Sequence, residues 1–126
     1  MNWLWVACGG AIGASLRYAA SVYFISAPAN FPWITWSVNL LGCLLAGIFF
    51  ALSLQFPTLQ NEARLFLMVG ILGGFTTFSS FGLETFQLMK SGQVNLALLY
   101  VLTSVILGIL LLAFSFYLTQ FIFTTK

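Results

Sequence analysis

The chain has 126 residues, 61% of them hydrophobic and 5% charged, with a mean hydropathy of +1.06 and a net charge of +2. A soluble domain carries about 25% charged residues, so an ordinary water-soluble globule is excluded. The small positive charge also excludes a nucleic-acid-binding surface, which needs many basic side chains against phosphates.

Four long apolar stretches fill the sequence. A bilayer core of ~30 Å needs about 20 apolar residues per helix, so four spans leave room only for short loops. The pattern predicts an all-α integral membrane protein in one compact domain, residues 1–126. The first span covers residues 3–24, with Trp3, Trp5 and Tyr23 placed as interfacial anchors. No basic residue precedes it and its length suits a full crossing, so it is expected to be retained and not cleaved as a signal peptide. A connector at residues 27–32 carries Pro28, Asn30 and Pro32, the chemistry of a turn. The second span covers residues 33–54. The loop at 57–62 follows, where Asn61 or Thr58 is expected to cap the next helix. The third span, residues 63–89, is broken in its middle by Gly73-Gly74-Phe75-Thr76-Thr77-Phe78-Ser79-Ser80-Phe81. Lys90-Ser91-Gly92-Gln93 makes a tight turn into the fourth span, residues 95–123. The sequence contains neither a low-complexity run nor a parallel internal repeat.

Cys8 and Cys43 fall inside apolar segments, where small thiols pack well. Two cysteines without a histidine make no recognisable metal site, and a disulfide is not expected. There is no nucleophile–base pair and no acid pair with plausible geometry, so the chain does not read as an enzyme.

Orientation follows a Lys/Arg excess on the cytoplasmic side. Arg64 and Lys126 fall on one side of the four spans and Lys90 on the other. With an excess of about one charge the chain hardly commits to an orientation. The expectation is dual topology: copies insert both ways and pair as an antiparallel homodimer.

A bilayer offers no water to backbone groups. A helix is interrupted at membrane depth only where the freed amides and carbonyls line a cavity, bind an ion or meet another chain. The remaining polar residues gather on one side of that break. At ~1.5 Å rise per residue, Arg17 lies about 10 Å inside the end of the first span and Asn39 about 9 Å inside the start of the second. Glu84 lies about 8 Å inside the end of the third and Ser104 about 14 Å inside the start of the fourth, all on one membrane side. Such matched depths point to a water-accessible vestibule ending near the midplane.

Gly9 and Gly13 form a GxxxG pair that lets helices approach closely, and this packing delivers Arg17 to a protein interior. Arg17 either snorkels to the headgroups or makes the vestibule electropositive so that it concentrates small anions. Glu84 is either its partner or stands alone in water. Asn39 is either a helix-to-helix clamp or a pore-lining donor. Phe75, Phe78 and Phe81 recur every three residues, while Thr77, Ser80, Phe81 and Glu84 form one stripe after the break. The stripe is either core packing or an anion path, in which positive ring edges on one wall and hydroxyls on the other partly replace hydration water. Were two copies antiparallel, their breaks would meet on the two-fold axis. Their freed carbonyls would then form an oxygen cage suited to Na⁺.

Gly9-Gly10-x-x-Gly13-Ala14-x-x-Arg17-Tyr18, Val38-Asn39-Leu40-x-Gly42 and Gly70-x-x-Gly73-Gly74-Phe75-Thr76-Thr77-Phe78-Ser79-Ser80-Phe81 resemble motifs of the Fluc (CrcB-type) fluoride channels. The likeness spans three of the four helices in order and spacing. It implies that Phe78 and Phe81 are pore phenylalanines and Asn39 the pore asparagine. It implies a central Na⁺ held by the backbone carbonyls of Gly73 and Thr76 from each subunit. Arg17 and Glu84 match the family's vestibule-side arginine and glutamate, and Tyr100 and Ser104 resemble its fourth-helix hydroxyl pair. The resemblance further implies a dual-topology homodimer in the bacterial inner membrane, with two pores passively exporting fluoride. Ser80 stands where threonine is common, and Ile34 where many members have glycine. The rival transporter reading, a small multidrug-resistance-type proton-coupled antiporter, needs a carboxylate in its first helix. This first helix holds Arg17 and no acid.

Overall fold

The structure is a computed structural model that describes residues 1–24 and 31–124. Residues 27–30 of the first connector, and Lys126 of the charge balance, lie outside the described residues. Among the described residues the secondary structure is entirely helical. Helix α1 is Asn2–Tyr23 and α2 is Trp33–Gln55. A 3₁₀ turn, Pro57–Gln60, leads to α3, which combines a π-helical run, Arg64–Leu72, with one α-helical turn, Gly73–Phe75. Helix α4 is Phe78–Lys90 and α5 is Val94–Thr124. The four apolar stretches thus become helices within two residues of the expected ends, and the third is split where the glycines and threonines stand.

Among the described residues, three segments are long and apolar enough to cross a membrane: Trp33–Gln55, Arg64–Lys90 and Val94–Thr124. The 22 residues of α1 span a comparable length, ~33 Å at 1.5 Å per residue. Its apolarity is diluted by Gly9, Gly10, Gly13, Ser15 and Arg17, several of which it turns to protein contacts or to the break.

One local expectation is corrected. Neither Asn61 nor Thr58 caps the third span with its side chain. The chain enters α3 through the 3₁₀ turn, and it is the backbone carbonyl of Asn61 that accepts from Leu65 N–H, at 3.2 Å. At the other end, α4 closes with Gly92 at φ +85°. Gly92 N donates to Met89 O at 3.1 Å and Gln93 N to Leu88 O at 2.8 Å. This paired 5→2 and 6→1 pattern is a Schellman motif, which needs a left-handed residue and so favours glycine.

The helices associate as two close pairs, α1 with α3 and α2 with α5. In the first pair two glycine ridges interlock. A methyl group on Gly9 would strike the Phe66 carbonyl and sit 2.9 Å from Gly70 Cα. One on Gly13 would strike the Ile71 carbonyl and sit 2.8 Å from Phe75 N. Methyl groups on Gly70 and Gly74 of the other helix would sit 2.7 Å from Gly9 Cα and Gly10 O respectively. In lipid, where apolar burial between helices gains little, such backbone contact is the main source of association. In the second pair Gly47 lies against Ser115 and the Leu112 carbonyl, and the Phe50 and Phe116 rings stack at 5.2 Å. Helix α4 reaches α5 through a small core of Leu88, Ala97 and Tyr100, closed over by Phe31, Trp36 and Phe81. Cys8 is exposed and Cys43 half-buried against α5, both as free thiols.

Candidate functional site: the break in the third span

The backbone leaves helical geometry at Thr76, with φ −82° and ψ 155°, and at Thr77, with φ −148° and ψ 123°. Two β-branched residues in succession after a glycine pair favour this: both prefer extended backbone, and glycine holds a helix weakly. Several of the exposed polar groups then find specific partners. Thr76 donates both its N–H, at 3.0 Å, and its hydroxyl, at 2.8 Å, to Leu72 O. Thr77 N–H donates to Asn39 Oδ1 at 3.0 Å, and Asn39 Nδ2 donates back to Thr77 O at 3.2 Å. The backbone N–H fixes which amide atom is oxygen, and the second Asn39 N–H stays available for another acceptor. Asn39 is therefore a clamp between α2 and the break; its geometry leaves a donor for a pore as well.

Arg17 does not reach Glu84. Its Nε donates to the Gly74 carbonyl at 3.2 Å, across 57 residues of sequence. Glu84 is held by other groups: the Thr35 hydroxyl donates to Oε1 at 2.6 Å and the Tyr100 hydroxyl to Oε2 at 3.4 Å. The expected alternatives for Glu84, a partner for Arg17 or an unaccompanied charge, are both replaced by this hydroxyl cradle.

Helix α4 begins inside the span. Thr77 is its N-cap, accepting from Ser80 N at 3.2 Å through its hydroxyl, which also lies 3.3 Å from Ser79 Oγ. A helix start leaves the first amides without intrahelical acceptors and carries a partial positive charge. Phe78 and Phe81 sit on that first turn with ring centroids 5.8 Å apart. Phe78 is 84% exposed in the single chain. Phe81 is half-buried, its ring 5.0 Å from that of Tyr100. Tyr100 is fully buried, and Phe31 meets its ring edge-on at 5.5 Å. Ser104, one turn further along α5, has a buried hydroxyl oxygen without a hydrogen-bond partner among the described residues.

The structure therefore brings Asn39, Thr77 and Ser80 together at the break, and Phe81, Tyr100, Glu84 and Thr35 into one contiguous string. Gly73 and Thr76 flank the break. Because Thr77 N–H turns to Asn39, the Gly73 carbonyl loses its donor four residues on. Sequence reasoning missed several contributors. Thr35 was readable, since it precedes Asn39 by four and shares its helix face. Gly70 and Gly74 form a second GxxxG that mirrors Gly9 and Gly13. Thr103, which accepts from Trp36 Nε1 at 3.1 Å, gave no signal among the apolar residues of the fourth span.

Membrane-length helices around an interrupted span, with buried polar side chains converging on the interruption, define an integral membrane protein of the channel and transporter class. Residues 4–116 match the family model described as CrcB-like protein, Camphor Resistance (CrcB), and the chain belongs to that family. It is similar to a fluoride-specific ion channel FluC of Thermus thermophilus, with 53% identity over 87% of each chain. It is similar also to the FluC of Erythrobacter litoralis, 48% identical over 91% of this chain and 89% of that one. The FluC of Saccharophagus degradans is 40% identical over 94% of this chain and 89% of that one. With these relatives and three segments able to cross a membrane, the chain is a multi-pass protein of the bacterial inner membrane.

Proposed function

We propose that the chain is a fluoride-selective ion channel, not an enzyme, that lets F⁻ leave the cell passively. One observation carries the reading: an α-helix starts at membrane depth with its amide end exposed beside Phe78, Phe81, Thr77 and Ser80. A helix N-terminus is an anion site, because its free N–H groups and its dipole both favour negative charge. The phenylalanine ring edges carry partial positive charge, and the hydroxyls donate. Together they offer a small, strongly hydrated anion several weak contacts in place of water, which permits passage without trapping. Arg17 and the free N–H of Asn39 supply further positive potential, and the string from Phe81 through Tyr100 to Glu84, with the Ser104 hydroxyl one turn further along α5, extends the polar route.

The working unit in this reading is an antiparallel homodimer with two pores. Phe78, exposed on the single chain, then lies at the contact between copies. The two breaks meet on the two-fold axis, where the chemistry of the donors suits a cation: the Gly73 and Thr76 carbonyls are hard oxygen ligands freed from the helix. Na⁺ bound there would neutralise the carbonyl dipoles of both chains and tie the copies together. Cells that have lost their own fluoride exporter should regain fluoride tolerance when they express this chain. Absence of rescue despite verified membrane expression would count against the reading.

A further inference from the structure

Around the break the carbonyls take different partners, and the structure sorts them. Leu72 O takes the amide and hydroxyl of Thr76. Thr77 O takes Asn39 Nδ2. Gly74 O, which lies between the two candidate cation ligands in sequence, takes Arg17 Nε at 3.2 Å. The sorting leaves Gly73 and Thr76 among the oxygens without a donor from the described residues. We propose that Arg17 is a positioning residue for the central cation site: by tying off the Gly74 carbonyl it leaves those of Gly73 and Thr76 to face Na⁺.

This inference rests on the cation reading given above and concerns a different residue. Its logic is geometric. A flexible Gly-Gly segment at a helix end can rotate its peptide planes at little cost, and an unpartnered Gly74 carbonyl in lipid would seek the nearest positive group. That group would be the cation, and an extra or displaced ligand changes the cage size that separates Na⁺ from the larger K⁺. Arg17 holds the Gly74 peptide in one orientation through Nε alone. The other four N–H groups of its guanidinium find no acceptor among the described residues, so the same side chain can still face an anion on the vestibule side. The fixed positive charge also opposes the cation. Carbonyl sorting and repulsion are therefore separable: glutamine places an N–H the same number of bonds from Cα as Arg Nε, without charge, while methionine matches the length and has neither.

The test is the thermal unfolding midpoint of the purified protein, titrated with Na⁺, K⁺ and an organic cation, because a ligand that binds only the folded state raises it. The wild type should be stabilised by Na⁺ in preference to K⁺. Arg17→Gln should bind Na⁺ at least as tightly, since the donor stays and a like charge leaves. Arg17→Met should lose about tenfold in its preference for Na⁺ over K⁺, the worth of one charge-assisted hydrogen bond. If Arg17→Met does not fold, Arg17→Lys, whose ammonium reaches one bond further than Nε, should keep the Na⁺ preference, and its loss there overturns the proposal. An Arg17→Met protein that titrates like the wild type overturns it as well. A wild type that ignores Na⁺ altogether sinks the cation reading and this inference together, whereas a normal wild-type response with an unchanged Arg17→Met sinks this inference alone.

Discussion

Asn39 grips the backbone of Thr77 with both atoms of its amide, accepting from the N–H at 3.0 Å and donating to the carbonyl at 3.2 Å. One side chain on α2 thereby gives the Thr77 N–H, whose acceptor in a continuous helix would be the Gly73 carbonyl, a new partner. It also adds a second donor to the Thr77 carbonyl at the start of α4. Each such bond is worth about 0.5–1.5 kcal/mol net, and a stranded peptide group in lipid costs more. Asn39→Ala should therefore destabilise the protein by about 2–3 kcal/mol and abolish most fluoride flux. Asn39→Asp keeps the acceptor for Thr77 N–H, so it should fold better than the alanine variant while placing a repulsive charge beside the anion path. Thermal unfolding and efflux, measured on the same preparations, check both outcomes.

The two phenylalanines of the first turn of α4 should separate in stability and converge in function. Phe81 packs on Tyr100 at 5.0 Å, whereas Phe78 is exposed in the single chain. Phe81→Ile should cost about 1 kcal/mol, the value of an aromatic pair, while Phe78→Ile leaves the fold of the single chain unchanged. Both should cut fluoride flux sharply. Wild-type rates in both variants would reduce the rings to packing.

Glycine substitutions distinguish the contact ridge from its neighbours. Gly13→Ala drives a methyl into the Ile71 carbonyl and the Phe75 amide, backbone that cannot step aside. It should cost at least about 1–3 kcal/mol, as overpacking does. Gly82→Ala meets nothing within 4 Å and should be neutral or slightly stabilising, because alanine is the better helix former. Chemical or thermal unfolding of the two variants gives the comparison directly.

How much of this was legible in the sequence follows from where the bilayer acts as judge. Span ends were readable because apolar runs need a fixed length, and the break because Gly73-Gly74 followed by Thr76-Thr77 cannot continue a helix cheaply. The depth of Arg17, Asn39 and Glu84 was readable from rise per residue alone. Their partners were not. Arg17 and Glu84, opposite in charge and similar in depth, suggested each other, yet depth says nothing of azimuth. Arg17 turns to Gly74, and Glu84 to Thr35 and Tyr100. The π-helical winding of Arg64–Leu72 had no sequence marker either. π turns arise from how neighbours seat the backbone, mostly as single turns near functional sites, and this run lies where Gly9 and Gly13 press closest.

Insertion in both orientations has its own readout. With Cys8 and Cys43 replaced, a single cysteine introduced next to Asn2 should be labelled by impermeant reagent from both sides of the membrane. Adding two lysines to the 3₁₀ turn at Pro57–Gln60 should bias insertion toward one orientation, since short-loop Lys and Arg set topology. Labelling of the unmodified chain from one side only would contradict an antiparallel pair.

The most direct measurement is ion efflux from liposomes that contain the purified protein, followed with fluoride- and chloride-selective electrodes on the same vesicles. Fluoride should leave as soon as its counter-ion is allowed to move, while chloride stays behind by orders of magnitude. Release of both halides at similar rates, or of neither from vesicles shown to hold folded protein, would contradict a helix start and ring edges tuned to the smallest halide.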